Sequence, residues 1–214
     1  MKNTDYLNRL RNWLGLLGIL LPVLSLLFGL AFGRSFNPAG CFASISATHY
    51  SAQYLLFEGL VLGTGLFLLC YEGYDIKDRW LCVLAGSGAI ILSLFPTDLI
   101  GAETRNFLML PQSVTNPIHL FGAFLFFGCL VFIIGVQFVK TSEGCTVKPG
   151  TPKWKRNILY RTCAIVMAVS LIIGFTMPLI NDWGYWVYAG EWIALWAFGL
   201  AWLVKGGALP LFRV

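Results

Sequence analysis

The feature that most constrains this chain is a series of long apolar runs with almost no charge in them. The first, Leu14 to Gly33, contains no Asp, Glu, Lys or Arg. At 1.5 Å per helical residue it reaches across the roughly 30 Å of bilayer hydrocarbon. Five more follow at about Tyr54–Cys70, Trp80–Pro96, Pro117–Val139, Tyr160–Ile180 and Trp186–Val204. With 57% hydrophobic and 12% charged residues, against roughly 25% charged in a soluble domain, a water-soluble fold could not hide this surface. The expectation is an all-α integral membrane bundle of six transmembrane helices forming one domain over residues 1–214. The second and third runs are short, within reach of a locally adapted bilayer. The first reads as a spanning helix and not as a removed signal peptide.

Orientation follows from the basic residues, which favour the cytoplasmic side. Alternating six spans puts 13 of the 15 Lys and Arg on one side, leaving Arg34 and Arg105 on the other. Both termini are therefore expected in the cytoplasm, and the protein in a bacterial inner membrane. The outer side then holds five acids, Glu58, Asp98, Glu103, Asp182 and Glu191, for a net −3. The inner side carries +8, which together give the chain's +5. An acid-rich outer vestibule favours a cation, an amine headgroup or protons, and nothing points to nucleic acid as a partner.

Smaller features refine the layout. Residues 1–13 place Tyr6, Leu7, Leu10 and Trp13 on one helical face, which reads as an interfacial helix or as a basic tail obeying the charge rule. Trp183, Tyr185, Trp186 and Tyr188 suit the headgroup layer as anchors. Gly59 with Gly63, and Gly86 with Gly88, are expected to let spans two and three approach their neighbours closely. Only Cys41 of the six cysteines falls on the outer side, so no structural disulfide is expected. There is no CxxC, GxxxxGK, GxSxG or HExxH pattern.

The candidate functional residues are the polar groups at the outer ends of the spans. Glu58 and Glu191 lie four or five residues inside their runs, roughly 6 to 8 Å deep. An ionisable group there costs a few kcal/mol unless it faces the bundle interior and has a partner. Each acid thus reads as part of a ligand site or as a paired residue holding helices in register. Asp98, at the end of span three, and His49, in the first outer loop, read as site residues or as solvated ones. His119 follows Asn116-Pro117, which suggests a helix cap and first residue, and so a hydrogen-bonded helix-terminal histidine. Arg105 completes the ligand-binding candidates. His49, His119 and Asp98 could serve as metal ligands, with a further carboxylate as base, but their spacing is not diagnostic.

From Ser44 to Asp75 the chain carries Ser44-Ile45-Ser46-Ala47, then Phe57, Gly59, Gly65-Leu66-Phe67-Leu68 and Tyr71-Glu72-Gly73-Tyr74-Asp75. This resembles a broad group of uncharacterised bacterial polytopic membrane proteins. In them a Ser-Ile-Ser-Ala-Tyr-Tyr-His segment leads into the second span and a Gly-Tyr-Asp loop follows it. Phe95-Pro96-Thr97, and His119 with Phe126-Phe127, fit the same pattern, which covers about residues 44–130. More distantly, the layout resembles the six-helix DRAM-type membrane proteins. The chain departs from the group at Tyr50, where the group has histidine and this chain has His49 one step earlier. It departs again at Tyr54-Leu55, where the group has an Arg-Asp pair. The resemblance implies fold and topology and carries no activity.

Two functional expectations follow. The first is a membrane protein whose acidic outer-leaflet cavity binds a small ligand, a cation or a lipid headgroup, as a sensor, scaffold or small transporter. The second is a membrane-embedded, metal-dependent hydrolase acting on a lipid or amide.

Overall fold

The structure is a computed structural model that describes residues 2–32, 43–51, 53–73, 75–102, 106, 108–141 and 146–209, with side chains from Asp5 onward except that of Phe32. Among these residues there are helices and no strand. The long helices are α1 (Lys2–Phe32), α2 (Tyr54–Cys70), α3 (Ile76–Leu94), α4 (Gln112–Phe132), α5 (Pro152–Thr176) and α6 (Trp186–Lys205). A 3-10 helix, Ser46–Tyr50, precedes α2, and a π-helical turn, Ile133–Gln137, extends α4. Four of the helical stretches are long and apolar enough to cross a membrane: Asp5–Ala31, Gln112–Gln137, Pro152–Leu179 and Trp186–Lys205. Helix α2 is apolar but shorter. Helix α3 opens with Lys77, Asp78 and Arg79.

Local chemistry fixes several ends. Asp75 caps α3, its carboxylate accepting from the Asp78 amide at 2.9 Å. Thr151 caps α5 ahead of Pro152, whose missing N–H costs nothing in a first turn. Helix α4 begins at Gln112, so Pro117 is its sixth residue and Asn116-Pro117 is not the cap expected from sequence. The extra turn is held by tertiary bonds: Gln112 Oε1 accepts from Leu99 N at 2.9 Å, and Gln112 Nε2 donates to the Ala102 carbonyl at 3.0 Å. Helix α1 runs unbroken from Lys2, because Leu10, Arg11 and Leu14 are buried in the bundle. The stretch leading into the first apolar run is thus continuous with it, with Tyr6 and Trp13 exposed and Leu10 and Arg11 buried.

Each long helix packs on its successor, and α1 closes the ring against α6. Glycines set the closest seams. A methyl group at Gly190 of α6 would lie 2.6 Å from the Ser170 carbonyl of α5, and one at Gly199 would lie 2.7 Å from the Gly15 carbonyl of α1. Gly65 and Gly86 face each other across α2 and α3, as do Gly88 and Gly122 across α3 and α4. Gly86 and Gly88 thus pack as expected. Gly59 and Gly63 do not, because both face open space on α2 and Gly65 makes the contact instead. In the core Trp202 is fully buried, with its ring 5.1 Å from Tyr71 and 5.0 Å from Phe138 in edge-on contacts.

Candidate functional site at the acidic end

Helices α1 and α6 are antiparallel: Gly15 meets Gly199, and the Asn12 side chain presses on Gly206. The N-terminal end of α1 and the C-terminal end of α6 therefore share one end of the bundle. Among the described residues every Lys and Arg belongs to that end, and Glu58, Asp98, Asp182 and Glu191 belong to the other. Arg34, Glu103 and the candidate Arg105 lie outside the described residues.

The acidic end is organised around the 3-10 helix, all five residues of which are buried. A buried connection must satisfy its own backbone. The Ser and Thr side chains of this segment do much of that locally: Thr48 Oγ1 donates to the Ile45 carbonyl at 2.6 Å, Ser51 Oγ donates to the Thr48 carbonyl at 2.7 Å, and Ser44 Oγ accepts from Ala47 N at 2.8 Å. The start of the segment is held from α6, where Glu191 accepts from the Ile45 amide at 2.5 Å and from the Ser46 hydroxyl at 3.4 Å. Its far end is held from α2, where Glu58 Oε1 lies 2.9 Å from His49 Nδ1. Two acids from different helices, placed by sequence at similar depth, thus reach one short polar element.

The α3–α4 connection completes this end. Tyr50 donates to the Thr97 carbonyl at 2.7 Å, and burial together with the nearby Asp98 carboxylate pushes its phenol up to about 12. His119, buried on α4, approaches the Phe95 carbonyl with Nδ1 at 2.8 Å. A carbonyl only accepts, so that nitrogen carries the proton. His119 also lies within electrostatic reach of His49 and Asp98. Among the described residues, however, no three His, Cys, Asp or Glu side chains are grouped to hold a metal ion. The described cysteines, Cys70, Cys82, Cys129 and Cys163, are free thiols, and Cys41 and Cys145 lie outside the described residues.

Sequence reasoning missed two neighbours of this cluster. Gln53, 7% exposed, pairs neither its amide oxygen nor its amide nitrogen, and the fully buried Thr115 hydroxyl, one turn before His119, is also unpaired. Both look like ordinary loop or helix-end residues in sequence, and no signal there marks them as buried. It also missed a polar network at the basic end. Buried Arg11 donates to the Tyr71 hydroxyl at 3.2 Å and 3.0 Å, and Lys205 Nζ sits 4.6 Å from the Phe138 ring centre. Only the loop position of Tyr71 beside Arg79 could have hinted at this.

The architecture is that of a helical bundle with apolar helices fit to cross a membrane, carrying a polar cluster at one end. No known protein family, curated protein or solved structure matches the chain.

Proposed function

We propose that the protein is a six-span bacterial inner-membrane protein with both termini in the cytoplasm, whose acidic outer end binds a small cation, an amine or a lipid headgroup. It would act as a sensor, scaffold or small transporter. The observation that carries the reading is the Gln53 amide, buried without a partner at the end of a polar element gripped by Glu58 and Glu191. A buried polar group left unpaired costs about 1–3 kcal/mol, so its retention argues for a partner bound there. The absence of Lys or Arg from the described part of this end makes a positively charged partner the natural one.

The test is thermal unfolding of purified protein titrated separately with MgCl2, CaCl2, choline chloride and phosphatidylethanolamine. One of these should raise Tm saturably, by the equivalent of about 2.7 kcal/mol at a hundredfold excess over Kd. Glu58→Gln and Glu191→Gln keep the shape and lose the charge, and should abolish that response. A wild-type response in both variants, or no response to any probe, would falsify the reading.

A second reading, the membrane-embedded hydrolase, rests on the His49–Glu58 contact, which orients an imidazole as an acid–base pair does. Stoichiometric zinc in purified protein, lost in His119→Ala, would favour it.

A further inference from the structure

The seam between α4 and α5 differs from its neighbours. The α2–α3, α3–α4, α5–α6 and α6–α1 seams are each closed by a glycine set against the partner helix. Along α4–α5 only one end is drawn together: a methyl group at Gly135, in the π-helical turn, would lie 3.0 Å from Ala164 Cβ. Towards the acidic end the helices part, and Gly128 of α4 meets nothing within 4 Å. The gap is a groove of about 530 Å³ lined by Ala123, Phe127 and Gly128 on one side and Ala168, Leu171 and Phe175 on the other, with Thr176 as its only polar lining residue. Its rim is open sideways: Phe124 is 78% exposed and Ile172 62%. Both helices belong to stretches apolar enough to cross a membrane, so the opening faces hydrocarbon.

Dimensions decide what fits. The groove follows α4 from Leu120 to Val131, which is about 16 Å of helix. Spread over that length, 530 Å³ gives a cross-section of about 30 Å². A helix with its side chains is about 10–12 Å across, or roughly 80 Å² and more in section, and would lie over the groove and not within it. A slender hydrocarbon chain can. The wall offers such a chain dispersion contacts along both sides and asks for no hydrogen bond.

We propose that this groove is a binding site for one acyl chain of a membrane phospholipid, entering from the acidic end, where the groove opens, and stopping where Gly135 meets Ala164. The site is independent of whatever the Glu58–Glu191 end binds.

The experiment uses the full chain in phosphatidylcholine vesicles doped with a phosphatidylcholine that carries a diazirine midway along one acyl chain. After irradiation and proteolysis, adducts should concentrate on Leu120–Val131 and Ala168–Thr176, above the level at Leu66, an exposed apolar residue of α2 (51%). Gly128→Phe and, separately, Ala168→Phe fill the groove and should lower its labelling about tenfold with the Leu66 level unchanged. Equal labelling of the groove and Leu66 in the wild type overturns the proposal without any variant being needed. So does undiminished groove labelling in a variant with wild-type Tm, or crosslinking of two copies through the groove. Glu58→Gln and Glu191→Gln should leave the labelling as it is, so failure of the polar-site reading is told apart from failure here.

Discussion

Tyr50 joins the buried 3-10 helix to the connection after α3 through a single bond to the Thr97 carbonyl. Tyr50→Phe should lower stability by about 1 kcal/mol, the net worth of one neutral hydrogen bond. The pH dependence has a definite sign. The folded-state phenol titrates at about 12 against an ordinary 10.0. Its contribution is therefore fully present below pH 10 and disappears as pH rises towards 12, because ionisation is easier in the unfolded chain. Denaturant titrations at pH 8 and pH 11 should show an alkaline loss in the wild type that Tyr50→Phe lacks; equal losses in both would remove Tyr50 as the cause. At this scale the sequence was legible where polarity was out of place. Glu58 and Glu191 stood out because they interrupt apolar runs, and both prove to hold the 3-10 helix. Tyr50, Gln53 and Ser46 did not, because polar residues between spans read as solvated until the fold buries them.

Among the elements, the apolar middles of the long helices were legible, since hydropathy measures the apolar stretch directly, and four of them are long and apolar enough to cross a membrane. The helix ends were not legible. Helix α4 gains its first turn from Gln112 and the α3–α4 connection, and α3 starts at Ile76 because Asp75 caps it, which hydropathy cannot register. Glycine spacing was equally ambiguous, since Gly59 and Gly63 have the small-xxx-small spacing of an interface yet face open space, while Gly65, two residues on, is packed. One chemical change should separate the two cases. Gly190→Leu drives a side chain into the Ser170 carbonyl and should cost 1–3 kcal/mol, in the range of overpacked cores, whereas Gly59→Leu should stay within about 0.5 kcal/mol of wild type. Thermal unfolding of both in the same detergent checks this; similar losses would mean that the α5–α6 seam is no tighter than the open face of α2.

For the whole molecule, the division of charge between the two ends predicts an orientation that labelling can read. In a variant whose native cysteines are serine, Asp182→Cys should react with an impermeant maleimide in intact cells and Lys148→Cys only after the membrane is opened; the reverse pattern would invert the topology. The ring closes between the first helix and the last, and the Ile45 amide finds its acceptor on Glu191, 146 residues later. At about 5–20 residues per second, a ribosome takes roughly 7 to 30 s to travel from one to the other. Through that interval α1 and the 3-10 segment are made while their partner on α6 is not. A chain stalled anywhere before Glu191 therefore lacks both the α6 face on which α1 packs and the acceptor of the Ile45 amide, and its bundle stays open.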